Sequence, residues 1–384
     1  MTARQASWWT PELALLRDTS RDFFAREAVP AQARWAAQRS VDRGFWNLAG
    51  KAGLLCAAVP EEYGGGGGSF AHEAVILEEQ ARAGDTAFGN AIHSSIVAPY
   101  IQHHGTEEQR RRWLPGMASG ELVGALAMTE PGTGSDVAAI RTRAVREGDH
   151  YLLTGSKIFI SNGTLCDLVV VVCKTGPPSG GREAVSLLVV ETAQEPAGFR
   201  RGAPLDKIGQ HGQDTCELFF DQVRVPAANL IGGREGLGFV QAMHQLAQER
   251  LVIAVVAVAV MEAVLEDTIR YAKQRTAFGQ DLIAFQNTRF TLAECRTETT
   301  IARVFVDECI DRHLHGELDA QTVSMAKWWT TQKQNDVVSR CLQVHGGYGY
   351  MSEYPVARAF VDSRVQMIAG GTNEIMKEII GKSL

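Results

Sequence analysis

The sequence has no apolar run long enough to cross a membrane. Its longest, Leu251 to Met261, falls far short of the roughly 18 residues a spanning helix needs. It reads instead as a buried bundle helix. There is no basic excess: 38 Lys and Arg against 44 Asp and Glu give a formal charge of −6, which argues against a nucleic-acid footprint. Cysteine pairs are missing too. The seven cysteines (56, 166, 173, 216, 295, 309 and 341) are scattered, odd in number and without a C-x-x-C, as expected of reduced thiols rather than a disulfide scaffold or zinc site. The N-terminus has one Arg, an early Glu12 and no long apolar stretch, so neither a signal nor a transit peptide is expected, and the C-terminal KSL is not the peroxisomal SKL. A bacterial cytosol is the expected location.

Three further patterns are incomplete. Gly232-Gly-Arg-Glu-Gly-Leu-Gly resembles a dinucleotide fingerprint but lacks a βαβ setting. Gly381-Lys-Ser ends like a phosphate loop, but Met376 stands where the first glycine belongs. His313 and His315 have no partners at metal spacing and read as an exposed helix end.

What remains is 384 residues with 45% apolar content, enough for two or three domains at about 150 residues each. The charged fraction of 21% is slightly low, as expected of helices that bury more than one face. Residues 1–121 read helical. Thr10 caps a helix that opens on Pro11, the stretch from Ser69 to Ala83 is periodic, and Thr106-Glu-Glu-Gln is a capping box. Between them Val59-Pro-Glu-Glu-Tyr and its glycines form a loop. Residues 122–232 carry short β-rich runs (Tyr151 to Gly155, Lys157 to Ser161, Leu168 to Cys173, Ala184 to Val190, Cys216 to Phe220) separated by turns. That predicts an antiparallel barrel or sandwich, and the lack of intervening helices argues against a Rossmann unit. Residues 233–384 return to helix in four long segments: Gly236 to Arg275, Phe285 to Leu314, Asp319 to His345 and Tyr354 to Ile380. This predicts a four-helix bundle.

Four clusters could carry chemistry. Met128-Thr-Glu-Pro-Gly-Thr-Gly-Ser-Asp frees backbone amides to approach an anion or a flat heterocycle; alone, it is more often an ordinary loop. In Gly155-Ser-Lys-Ile-Phe-Ile-Ser-Asn-Gly, Phe159 and Ser161 face one way on a strand. They would suit an aromatic cofactor that needs a stacking face and a hydrogen bond; the plain alternative is a hairpin at Asn162-Gly163. Gln343-Val-His-Gly-Gly-Tyr-Gly-Tyr ends a helix in glycines, and Gly370-Gly-Thr-Asn-Glu opens one where a phosphate could sit.

Together these clusters resemble the acyl-CoA dehydrogenases, the flavoenzymes that begin fatty-acid β-oxidation. The resemblance runs from Val59-Pro-Glu-Glu-Tyr to Ile379. Arg275-Thr-Ala-Phe-Gly followed by Gln286 is a fifth marker, and the last 80 or so residues resemble the long-chain branch most. The resemblance implies an α+β multidomain fold: an N-terminal helical domain, a middle β-barrel-like domain and a C-terminal four-helix bundle, usually in a homotetramer. It also implies FAD, an acyl-CoA substrate and electron-transfer flavoprotein as partner. Leu126, Met128, Thr129, Gly134 and Ser135 would lie along the flavin, with Thr129 on the pyrimidine edge and Ser135 on the pyrophosphate or the pantetheine arm. Phe159, where many relatives have Trp, would pack on the flavin, Ile160 would be among the cofactor-binding residues, and the Ser161 hydroxyl would face N5. Arg275, Phe278, Gln286, Gln343, His345, Gly346 and Gly347 would hold the adenosine half of FAD in a neighbouring subunit. Thr372, Asn373 and Glu374 would meet the cofactor from the last helix.

The reaction so implied removes a proton from Cα of an acyl thioester and a hydride from Cβ. A carboxylate with its pKa raised by burial is the natural base. Many relatives place that Glu directly before Gly-Thr in the last segment, but here the position is Gly370. Another branch places it on the first bundle helix, where this chain has Gln248-Glu249-Arg250. Glu249 is therefore the expected base. A plain helix-start Glu is the competing explanation. The Gly370 N–H would polarise the thioester carbonyl, and Gly371, Gln248, Arg250 and Ser135 would contact substrate. Three other functions stand beside this one: an O2-using flavin oxidase or monooxygenase of the same fold, a dehydrogenase of carrier-protein thioesters, and a non-catalytic acyl-CoA scaffold. A base at 249 speaks against the monooxygenases, and the intactness of all five motifs speaks against the scaffold.

Overall fold

A computed structural model describes residues 6–384. Helices α1 (Pro11–Phe23), α2 (Gln32–Gln38), α3 (Arg43–Lys51), α4 (Phe70–Arg82), α5 (Asn90–Ile92), α6 (Ala98–His104) and α7 (Glu107–Ser119) form the first layer. Their starts follow from local chemistry. The Thr10 hydroxyl accepts from Leu13 N ahead of Pro11. Thr106 and Gln109 close the expected capping box. Ser69 and His72 close a second, which sequence spacing did not announce because His replaces the usual Glu or Gln.

The middle of the chain is a seven-stranded sheet: β1 (Gly124–Ala127), β2 (Arg143–Glu147), β3 (His150–Ser161), β4 (Leu168–Lys174), β5 (Val185–Glu191), β6 (Phe199–Arg201) and β7 (Thr215–Pro226). The expectation of a purely antiparallel sheet needs correction. β1 runs parallel to β4, with Gly124 opposite Leu168, because the chain leaves that pair for the β2–β3 hairpin before returning. The two runs expected at Tyr151 and Lys157 are one strand, β3, bulged against β7 between Lys157 and Ile160. The short or polar β1, β2 and β6 carried no hydrophobic signal of their own.

Helices α8 (Gly238–Gln274), α9 (Gln286–Leu314) and α10 (Ala320–His345) form the bundle; the hairpin β8 (Thr276–Ala277) and β9 (Gln280–Asp281) joins the first two. The expected fourth long helix is broken into α11 (Pro355–Asp362), a 3-10 turn and α12 (Asn373–Gly381). α11 stops at Asp362, and Gly370 and Gly371, whose φ values of 64° and 91° no continuing helix holds, separate the 3-10 turn from α12. No described helix is long and apolar enough to cross a membrane. All seven cysteines are buried and unpaired.

One core joins the first layer to the bundle. Leu13, Phe70, Ala74 and Leu77 pack with Leu251, Val255, Val258, Val306 and Val338. A partly buried ionic knot crosses the same seam. Arg303 on α9 reaches Glu78 on α4 and Glu262 on α8, and Arg82 also pairs with Glu262. Burial alone would lower the Arg303 charge, but these carboxylates outweigh it and hold the guanidinium well above its ordinary value. Removing one member strands the others in a poorly solvated place. Arg303→Ala is expected to cost about 3–5 kcal/mol in urea unfolding; a loss below about 1 kcal/mol would show that water reaches the knot.

Candidate functional site

Glu249 does not sit at the start of its helix, as sequence position suggested. It lies about three turns inside α8 and is only 6% exposed. An exposed helix-start role is therefore excluded. Oε1 accepts a hydrogen bond from the Tyr100 hydroxyl at 2.8 Å. Burial drives the carboxyl up to about 7, against the lowering effects of the Tyr100 bond and of Arg250. A carboxylate so poised is half ionised near neutral pH. Tyr100 comes from α6 in the first layer, and nothing in its sequence surroundings marked it.

Arg250 is buried beside Glu249, and its Nε has no partner among the described residues. An unpartnered buried guanidinium N–H is costly unless a ligand meets it. Gln248 is different. Its Nε2 donates to Ser95 O at 2.8 Å and its Oε1 meets His313 Nε2 at 3.1 Å. Its amide is thus anchored between the first layer and the end of α9. The same contact corrects His313, which is not an exposed helix end. It packs edge-on against Phe70, and burial pushes its pKa down to about 4. His315 is exposed as expected. No group of three metal-ligating side chains occurs among the described residues.

Gly370 approaches α8 one turn beyond Glu249. A Cβ on it would stand 2.5 Å from Ile253 Cδ1. The space a side chain at 370 would enter is thus taken from the helix that carries Glu249. Gly371 follows in the same left-handed turn. Thr372 caps α12 by accepting from Ile375 N, and Glu374 is exposed. Asn373 is buried: its Oδ1 receives Lys327 Nζ and Thr331 Oγ1, and its Nδ2 donates to Trp328 O. Its side chain is a structural tie between α10 and α12, which corrects the expectation that it contacts cofactor.

On the sheet, Leu126, Met128 and Thr129 are half-buried, whereas Gly134 and Ser135 are exposed. The segment is fastened from below. Lys157 on β3 is wholly buried; its Nζ donates to Met128 O and Glu130 Oε1, both at 2.9 Å. Thr129 O accepts from Ile158 N. Burial would raise the Glu130 carboxyl, but bonds from Thr142 and Lys157 outweigh it and hold the group ionised. A lone charge inside a β run was the available sign of this tie. The bulge at Lys157–Ile160 gives Phe159 a φ of 62° and leaves it 65% exposed, with Ser161 half-buried on the same outward side. Ile160 points the other way into the sheet core, so its side chain cannot pack on a ligand there, and that expectation too is corrected.

The third group gathers where α8 and α10 end. Arg275 lies over the Tyr348 ring at 5.5 Å. Phe278, at the tip of the β8–β9 hairpin, is 96% exposed, and Gln286 and Gln343 are exposed. His345 is buried instead: it stacks on Tyr271 at 4.2 Å and bonds Cys341 O through Nδ1. Its ring supports the turn rather than facing outward. Gly346 and Gly347 would place a Cβ in open space.

These residues fit a flavin nucleotide. An aromatic held outward by a strained bulge, a bare glycine turn, an exposed hairpin Phe and an unpartnered buried Arg N–H are what a large aromatic, phosphorylated group and its substrate would cover. Three consecutive segments match known domain families: residues 10–121 the acyl-CoA dehydrogenase N-terminal domain, 125–223 the middle domain and 236–384 the C-terminal domain. Pig (Sus scrofa) mitochondrial long-chain specific acyl-CoA dehydrogenase is 45% identical over 98% of this chain and 87% of its own length. A crystal structure of acyl-CoA dehydrogenase from Geobacillus kaustophilus is 46% identical, with a TM-score of 0.96 over 99% of each chain. A glutaryl-CoA dehydrogenase from Mycobacterium smegmatis, solved in complex with FADH2, is 25% identical with a TM-score of 0.91, over 98% of this chain and 95% of the other. The chain belongs to the acyl-CoA dehydrogenase family of flavin oxidoreductases.

Proposed function

We propose that this chain dehydrogenates a fatty acyl-CoA to the trans-2-enoyl-CoA with Glu249 as the base, and passes the electrons to electron-transfer flavoprotein. The observation that carries this is the buried carboxylate itself. Glu249 has one hydroxyl donor, a neighbouring cation and an affinity for protons matched to neutral pH. Ionised, it takes the proton from Cα. The Gly370 N–H polarises the thioester carbonyl as charge builds on its oxygen, and Arg250 supplies a nearby cation. FAD, when bound, supplies the acceptor for the Cβ hydride. Thr129, Ser161 and the Phe159 ring would hold it.

A second copy of the chain completes the cofactor site. The support is the near-total exposure of Phe278 and of Tyr350 (84%), with the exposed Tyr348 ring lying under Arg275. Contiguous exposed aromatics of this kind mark surfaces that something covers. The long-chain relatives favour a long or branched acyl group. CoA, rather than a carrier protein, is supported by a cavity of about 590 Å3 lined by Arg141, Arg143, Arg146 and Lys174. It adjoins the flavin-side segment, since Arg141 N and Thr142 N both donate to Glu130. Four cations without a lining carboxylate suit the phosphates of a nucleotide.

Glu249→Gln is expected to retain FAD and bind acyl-CoA yet lose flavin reduction by about 10² to 10⁴, measured by anaerobic stopped-flow bleaching with C4 to C18 acyl-CoAs. Near-normal reduction would remove Glu249 as the base. The carboxyl is raised in the folded state, so its charge costs stability above its ordinary value and none below it. The same variant should therefore melt higher than wild type at pH 8, with the gap closing towards pH 4.5. In the wild type, kcat/KM should rise with pH through about 7, and Tyr100→Phe, which removes a donor to the ionised form, should move that limb to higher pH. An unmoved limb would show that another group sets it. Comparing reoxidation by air with reoxidation by electron-transfer flavoprotein separates this chemistry from that of an oxygen-using relative.

Replacing Arg141 and Arg143 together by Ala is expected to raise KM for acyl-CoA several-fold and leave acyl-pantetheine unaffected; equal effects on both would place the nucleotide elsewhere. Phe278→Ser should weaken FAD retention on gel filtration and shift sedimentation towards smaller species, whereas unchanged assembly and flavin content would take the hairpin out of the interface.

A further inference from the structure

Two adjacent glycines make the least self-determined turn a chain can have. A catalytic N–H at Gly370 therefore needs something outside the turn to aim it. One clamp is apolar: Ile253 of α8 fills the space beside Gly370. The other is Lys327, about two turns into α10 and wholly buried. Its Nζ donates to Gly371 O at 2.8 Å and to Asn373 Oδ1 at 3.0 Å. One acceptor is in the turn itself and the other on the first residue of α12, two positions on, and neither is a carboxylate. Thr331, one helical turn along, donates to the same Asn373 oxygen at 3.1 Å. Asn373 Nδ2 returns a bond to Trp328 O at 3.3 Å.

Packing α12 onto α10 does not call for an ammonium. Met376 is fully buried and supplies apolar contact at the first turn of α12. A buried lysine is expensive. Burial, helped by repulsion from Arg250 and offset in part by Glu374, leaves this one pushed down to about 8. Arg250 and Glu374 are the charged groups facing it from α8 and α12. A costly group that spends its bonds on one flexible turn and the helix start after it is a group that holds the turn's direction.

We propose that Lys327 is a positioning residue for the reaction: by holding Gly371 O and Asn373 it fixes the Gly370–Gly371 turn so that the Gly370 N–H points at the thioester carbonyl. This rests on the function proposed above. Lys327 touches no reacting atom; its effect passes through the peptide it holds.

The test compares Lys327→Met and Lys327→Gln with wild-type holoenzyme. Three quantities are read: FAD content, kcat and KM with the best acyl-CoA, and the apparent pKa of the α-proton of a bound 3-thia-acyl-CoA. That probe has sulfur at position 3 and no hydride to give, so it reports carbonyl polarisation apart from flavin reduction. With FAD retained, kcat should fall by about 10-fold or more while KM stays within about 3-fold, and the probe's pKa should rise. A merely structural role would move neither the probe nor the kcat-to-KM split. A folded Lys327→Met enzyme with wild-type kcat and probe pKa overturns the inference. So does loss of folding in both variants, which would assign the lysine to stability alone. Failure of the wild type to be reduced by any acyl-CoA would instead overturn the proposed function, so the two failures are distinguishable.

Discussion

The constraint on which the rest depends is one negative charge in an apolar place. Glu249 sits among the Ala and Val positions of α8, where an unpaired carboxylate is strongly disfavoured. The protein does not neutralise it with a tight ion pair. It offers a single tyrosine hydroxyl and a cation adjacent in sequence. A firm salt bridge would make the group a weak base, and no partner at all would keep it protonated. The intermediate solution requires α8 to be held from both sides, and it is: the first layer reaches it through α4 and α6, the bundle through α9 and α10.

The molecule therefore divides into a dry half and an open half. Around Glu249 the polar groups are mostly satisfied internally, as with Gln248 and Asn373. On the sheet edge and at the β8–β9 hairpin, aromatic side chains stand in the open. Phe159 and Phe278 share another trait: both have left-handed backbones, a conformation bulky residues rarely take. Strain of this kind persists where the surroundings over-determine it. At Phe159 the fastening is visible, because Lys157, two residues earlier, is locked to Met128 and Glu130.

Sequence and structure agree where a residue's type and its local pattern point the same way. The caps at Thr10 and Thr106, the Leu168–Cys173 strand and the three long bundle helices were legible for that reason. So was the change from helix to sheet near residue 122, with the first strand at Gly124. The parallel β1–β4 pair was not, since strand direction is a property of the whole path and leaves no mark on four residues. The site divides the same way. Glu249, Phe159 and the Gly370–Gly371 turn stood out by their types and spacing. Tyr100, Lys157, Ile253 and Lys327 did not, because each acts on a residue far along the chain. Gln248, Ile160 and Asn373 show the converse: each neighbours a candidate site residue in sequence, yet its side chain is held by other partners.

The contact between Tyr100 and Glu249 crosses from α6 to α8, from one folding layer to another. The base's appetite for protons is therefore not a property of its helix alone. It measures the fit between two layers. A sliding of the first layer that lengthened the bond by an ångström would leave every helix intact and still retune the acid–base chemistry. In this fold, the alignment of domains is written in the currency of protonation.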